Sequence, residues 1–411
     1  MQKALRKIMY LGAEAVKGWV GRWASGRVGR WQVAGGQGAG VVKLEQMPTE
    51  SSVTKRLADL VGFDTRNPGG DERPLAEQLA RDLVALEAHH VEVIPAAGHF
   101  STYARFGSAR PSLIINAHID TVPADPGFTS DPFVLAHGHG RLRGLGSADT
   151  KGAIAAILEA IALRRSEGKP IRDLAILFSG DEELTGASMR QFLASDRTAG
   201  LERAIVCEPT GCRMGTRHRG VYAARISARG TGGHSSLADT VPNPLAALAL
   251  AAVALAELDE QSRSLGPPGL QGICMNIAAL DGGLAFNIIP PTAALTFSIR
   301  PAPGVAVEPL LAAARARVQG AARPFATDWT VIATNPAFAT RDPSAFAPLL
   351  GAPAGQPVDL PFGTEAGQFL EKGIDAVVFG PGHIESAHKA DEFVSLDELL
   401  QAVRIFAQLI A

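Results

Sequence analysis

Four strand-length apolar runs, at 112–117, 174–178, 204–207 and 375–379, alternate with stretches of helical periodicity. Runs of this kind suit strands that are covered on both faces. Their alternation with helices implies an α/β fold, a mainly parallel sheet flanked by helices. Helices are expected from Ser51 and over 74–89, 153–164, 187–194 and 396–409, with further strands at 91–95 and 101–106.

The pattern changes in the middle of the chain. A half-exposed strand is expected at 221–229, a long Ala/Leu helix at 244–260, strands at 272–280 and 293–300, a helix at 308–320 and a strand at 328–333. That order, βαββαβ, is the ferredoxin-like arrangement. The expected organisation is an extension at 1–46, a catalytic domain at 47–220 and 335–411, and an inserted second domain at 221–334. The extension is rich in Lys and Arg and carries Trp19, Trp23 and Trp31. It reads as disordered or as lying before a true start at Met47. An organelle-targeting segment or a membrane-surface helix stays open.

Composition excludes several classes. A formal net charge of -2 over 411 residues gives no bulk attraction to nucleic acid. No uninterrupted apolar run reaches the length of about 18 residues that a membrane span needs. The cysteines Cys207, Cys212 and Cys274 make neither an even framework nor a C-x-x-C pair. A reducing, cytoplasmic location follows as the expectation, with no thiolate metal site.

The runs end in residues of one chemical kind. His118 follows the first, Glu182-Glu183 the second, Glu208 the third, and His388 lies a short loop beyond the fourth. Open α/β sheets bind ligands beyond the carboxyl ends of their strands, so these side chains are expected along one rim. Asp149 joins them from Gly144-Leu-Gly-Ser-Ala-Asp149-Thr-Lys-Gly152. Those glycines first suggest a phosphate cradle, but a carboxylate at the helix start would repel phosphate. Alone, Asp149 is an ordinary helix cap and Glu182-Glu183 an ordinary acidic helix start. Convergence favours cations instead. His, Asp and Glu without Cys suit zinc, cobalt or manganese. Three carboxylates and one hydroxide balance two divalent ions, one carboxylate bridging them. Asp120 can orient the His118 ring, and Glu182 is left over as general base and acid.

These residues resemble those of a known family of dinuclear zinc amidohydrolases and peptidases, which includes acetylornithine deacetylase, succinyl-diaminopimelate desuccinylase, aminoacylase and glutamate carboxypeptidase. The resemblance rests on His118-Ile-Asp120, Gly146-Ser-Ala-Asp149-Thr-Lys-Gly152, Asp181-Glu182-Glu183, Cys207-Glu208-Pro-Thr210, Gly232-Gly-His234-Ser-Ser236 and Ala387-His388-Lys-Ala-Asp-Glu-Phe393. It implies two divalent ions, Zn2+ with Co2+ able to replace it. His118 and Glu208 would serve one ion, Glu183 and His388 the other, with Asp149 between them. It also implies a homodimer in which the second domain is lid and interface, and His234 reaches the partner subunit's site to donate to an oxyanion. Asn287 and Arg300 match positions that bind substrate carboxylate, and Gly363-Thr364-Glu365 resembles a substrate-side loop. The expected reaction is hydrolysis of an N-acyl amino acid, N-acetylornithine or N-acetylcitrulline. Desuccinylation or glutamate-type carboxypeptidase activity is the alternative, and a catalytically silent binding homologue a remote one. Glu208 keeps substrate choice open, because many deacetylases of the family carry Asp there.

Overall fold

The structure, a computed structural model, describes residues 50–351 and 354–411; the expectations for 1–46 fall outside the described residues. The chain first lays down β1 (His90–Ala96), β2 (His99–Phe106), β3 (Leu113–His118), β4 (Ala136–Gly138), β5 (Arg141–Arg143), β6 (Leu174–Ser179), β7 (Arg203–Val206) and β8 (Gly215–His218). Then come β9 (Val221–Arg229), β10 (Gly233–His234), β11 (Asn276–Gly282), β12 (Ile288–Ile289), β13 (Thr292–Ile299) and β14 (Thr327–Asn335). β15 (Phe338–Ala339), β16 (Val358–Leu360), β17 (Asp375–Val378) and β18 (Phe393–Ser395) close the series.

The large sheet runs β1-β2-β6-β3-β7-β17-β8-β15, with β16 beside β8. Its centre, β6-β3-β7-β17, is parallel. Its flanks are antiparallel apart from β16, which runs parallel to β8, so the sheet is mixed. The cause at one flank is local: Ala97 and Gly98, both at positive φ, join β1 to β2 in a tight hairpin. Alternate residues of the central strands enter different cores. Ile115, Ile176, Phe178 and Ile205 pack with the helices Glu50–Val61, Lys151–Ser166 and Leu396–Leu409. Ile114, Leu177, Ala204 and Val206 pack with Ala187–Leu193 and Ala366–Glu371 on the other face. Helix Lys151–Ser166 is buried on every side through its first three turns, which Ala153, Ala155, Ala156 and Ala160 permit by being small.

Residues 221–335 carry a separate sheet, β11-β13-β9-β14, antiparallel throughout. The helices Pro244–Gln261 and Val307–Ala321 cover it around Ile226, Leu248, Leu255, Leu295, Phe297 and Val318. Asn243 starts the first helix by accepting N–H bonds from Leu245 and Ala246, and Pro244 occupies the first turn. One expected helix is shorter than its periodicity suggests. The helix expected over 74–89 is Arg73–Ala85. Glu87 turns at φ 61° and His90 already opens β1, so His89-His90 do not end a helix.

Candidate metal centre

The parallel strands deliver their ends to one rim. His118 is the last residue of β3, Glu208 lies just past β7, and Glu182 and Glu183 just past β6. Asp149 precedes helix Lys151–Ser166 on the Gly-rich loop. Two of those glycines are needed for the turn. Gly146 sits at φ 77°, and a Cβ on Gly152 would come within 2.4 Å of the Ser147 carbonyl oxygen.

His118, Asp149 and Glu208 form one cluster, and Asp149, Glu183 and His388 a second; within each, the candidate ligand atoms lie within 4.8 Å of one another. Asp149 belongs to both. Its Oδ1 is 2.9 Å from His118 Nε2, and its Oδ2 is 3.4 Å from His388 Nε2, which is also 2.9 Å from Glu183 Oε1. His118 Nδ1 is 2.9 Å from the Asp120 carbonyl oxygen and can only donate there. A neutral ring therefore points a lone pair at Asp149, lone pair against lone pair. A cation between them removes that conflict, so the donor set fits divalent metal.

The electrostatics agree. Burial pushes Glu208 well above the usual carboxylate range, and the charges of Asp149, Glu182 and Glu183 add to it. Burial likewise raises Glu183. For His118, burial opposes charging, yet its contacts with Asp120 and Asp149 lift it well above the ordinary value. Contacts with Asp149 and Glu183 raise His388 to about 10. Asp149 goes the other way: burial would raise it, and the two imidazoles hold it low.

Asp120 acts differently from the expectation. Its carbonyl, not its carboxylate, makes the close contact to the His118 ring; the carboxylate is 3.6 Å away. That carboxylate instead accepts the N–H groups of Glu182 and Glu183, each at 3.1 Å, and the Asn67 amide at 3.0 Å. It fixes the loop that carries both glutamates. The Glu182 side chain has no hydrogen-bond partner among the described residues. Burial pushes its carboxyl well up, His118 opposes this, and Glu183, Glu365 and Asp120 reinforce it.

His234 and Asn287 stand together, and His234 belongs to neither cluster. His234 pairs with Ile288 across β10 and β12, and Ser235 N–H donates to the Asn287 carbonyl. Both side chains are exposed. His234 Nδ1 accepts from Ser236 N–H at 3.2 Å, so Nε2 carries the proton and faces outward. Arg300, at the end of β13, is exposed, and its guanidinium has no partner among the described residues. Thr364 is fully buried; its hydroxyl is 3.0 Å from His218 Nε2 and accepts Ala366 N–H. Its hydroxyl is thus engaged by the protein itself.

Two buried acids escaped the sequence reading. Glu392 is 2% exposed, and its carboxylate accepts N–H bonds from Gly146, Ala148 and Asp149 at 2.9–3.0 Å. The Gly-rich loop is an anion cradle after all, and the anion is a side chain of the same chain. Burial and the Asp149 charge push Glu392 up to about 7 against those N–H groups. Glu72, also buried, accepts Phe100 N–H and Asp181 N–H and bonds His99 Nδ1 at 2.9 Å. It supports the glutamate loop from behind. Neither acid ends an apolar run, so strand-end reasoning had no way to find them.

The family model for Peptidase family M20/M25/M40 matches residues 114–411. An N-acetyl-L-citrulline deacetylase from Xanthomonas campestris is 34% identical over 371 residues, covering 86% of this chain and 96% of that protein. An acetylornithine deacetylase from Myxococcus xanthus is 32% identical over 74% of this chain and 81% of its own length. Among solved structures, an M20 family metallo-carboxypeptidase from Sulfolobus solfataricus superposes with TM-score 0.73 at 17% identity, over 87% of this chain and 98% of that one. A dinuclear metal-binding M20 peptidase from Bacillus subtilis gives TM-score 0.65 at 17% identity, over 88% and 97%. These two carry the fold.

Proposed function

The chain belongs to the M20/M25/M40 peptidase family, and from that membership we propose that it removes the acetyl group from N-acetylcitrulline or N-acetylornithine, releasing acetate and the amino acid. It is a metal-dependent amidohydrolase, and one observation carries the reading: a single carboxylate, Asp149, is shared by two His/carboxylate clusters. The N-acetyl-L-citrulline deacetylase relative, matched over nearly its full length, supports the choice of substrate.

His118 and Glu208 would hold one ion and Glu183 and His388 the other, with Asp149 between them. Two divalent ions bound there, zinc with cobalt able to replace it, would polarise the acyl carbonyl and acidify a water. Glu182 takes the proton from that water and passes it to the leaving amine. Its free carboxyl, raised by burial and held beside Glu183 by the Asp120 clamp, suits both steps. His234 Nε2–H supplies an oxyanion donor. Arg300 and Asn287 take the substrate carboxylate, the guanidinium through a forked pair of hydrogen bonds. The second unit serves as lid and as the interface of a homodimer, which brings His234 to the partner subunit's site. Three free cysteines among the described residues agree with a cytoplasmic location, and no described helix is long and apolar enough to cross a membrane.

The test is dialysis against chelator, add-back of zinc or cobalt, and parallel assay on N-acetylcitrulline, N-acetylornithine and succinyl-diaminopimelate. Metal-restored deacetylation is expected. Much faster hydrolysis of the succinyl compound would overturn the substrate assignment.

A further inference from the structure

We propose that Glu392 is a positioning residue that sets Asp149 and His388 as one rigid piece, and so governs the affinity of the cation position formed by Asp149, Glu183 and His388. The inference rests on reading the site as a two-metal centre.

The bonds around Glu392 run in two directions. Its carboxylate holds three backbone N–H groups of the Gly-rich loop, including that of Asp149 itself. Its carbonyl oxygen accepts from Gly144 N–H at 3.0 Å and from the Ser147 hydroxyl at 3.2 Å. The next residue, Phe393, pairs with Arg143 where β18 meets β5. The segment after His388 is therefore joined to the Asp149 loop by backbone and side chain together. His388 stands four residues upstream at φ 56° and is about half exposed. Among the described residues its ring contacts only carboxylates, those of Asp149 and Glu183.

The two cation positions differ in what else steadies them. His118 and Glu208 are buried at the ends of central strands, and His118 is further held by the Asp120 carbonyl. Asp149 and His388 both lie on loops, and Glu392 is the group that links those loops. Loss of Glu392 should thus weaken the Asp149/Glu183/His388 position far more than the His118/Asp149/Glu208 position. Replacements should grade. In Glu392→Gln the amide oxygen can still accept from Ala148 and Asp149, but the amide NH2 then faces Gly146 N–H, donor against donor. Alanine leaves all three N–H groups buried without an acceptor.

The experiment titrates zinc into chelator-stripped, full-length protein in competition with a chromogenic chelator. It compares wild type, Glu392→Gln, Glu392→Ala and His388→Ala. Wild type should bind two ions. Glu392→Ala should keep one affinity within about threefold and lose about 10–100-fold in the other, the range typical for partners of metal ligands. Glu392→Gln should fall between, and the Glu392→Ala profile should match His388→Ala. Should Glu392→Ala not fold, Glu392→Gln carries the comparison. Two unchanged affinities, or equal weakening of both, would overturn the proposal. A wild-type protein that takes up no zinc would overturn the two-metal reading, and this inference with it.

Discussion

His218 offers a test that is independent of metal and substrate. Its ring is fully buried at the end of β8, with Phe338 packed at a centroid distance of 5.2 Å. Nδ1–H donates to the Arg219 carbonyl at 2.9 Å, and Nε2 accepts from the Thr364 hydroxyl at 3.0 Å. Both nitrogens are satisfied in the neutral form, and among the described residues no carboxylate bonds the ring. Burial therefore lowers its pKa from 6.5 to about 4. A drop of that size corresponds to about 3 kcal/mol disfavouring the charged ring in the folded protein. Below pH 6.5 the unfolded chain takes up a proton that the folded chain refuses. Stability from this residue is thus present above pH 6.5 and is lost as the pH falls towards 4. The assay is NMR of protein labelled at histidine Cε1, with the His218 signal identified by its absence from His218→Gln. The His218 signal should stay still down to about pH 5. A midpoint above about 5.5 would refute the burial argument.

Thr364→Val should destabilise the protein by about 1 kcal/mol through the lost bond to His218, with KM unchanged; a raised KM would put Thr364 in contact with substrate. Glu182→Gln should lower kcat by about 10²–10⁴-fold while atomic absorption shows full metal content. Asp149→Asn nearly keeps the side-chain shape yet removes the shared charge; Asp149 does not cap the helix, whose N-cap is Thr150. It should lose metal and more than about 100-fold in activity; a fully active Asn variant would refute the shared-carboxylate role.

The convergence of His118, Glu183 and Glu208 was legible because each follows an apolar run, and run ends are a property of local sequence; Asp149 lies on the Gly-rich loop and His388 a loop beyond its strand. His118, Glu183 and Glu208 needed only the rule that parallel strands share a rim. The parts that were not legible depend on pairing at long range. The loop around Asp149 advertises an anion cradle, but nothing local says that its anion is Glu392, 243 residues away. Only the resemblance of Gly363-Thr364-Glu365 marks Thr364 as substrate-side, and nothing local says that its hydroxyl bonds buried His218. The sheet's parallel centre followed from the helices between its strands. Its antiparallel edges depend on a two-residue turn at Ala97-Gly98, on β8, whose Gly-Thr-Arg-His is no apolar run, and on β15, which is two residues long.

β8 and β15 are partners, with Phe338 opposite His218 and Ala339 opposite Arg217. In topological terms they are the two arms of a β-hairpin, and the entire second unit is its loop. The chain leaves and re-enters the large sheet at adjacent points; Gly220 is so close to Ala337 that a Cβ there would lie 2.8 Å from its nitrogen. A graft that removes the unit and joins the arms through a short Asn-Gly turn would therefore require no rethreading of the sheet. His118, Asp149, Glu183, Glu208 and His388 would all remain on the retained portion. The fold thus separates the residues that can hold cations from His234, Asn287 and Arg300 along a single removable segment.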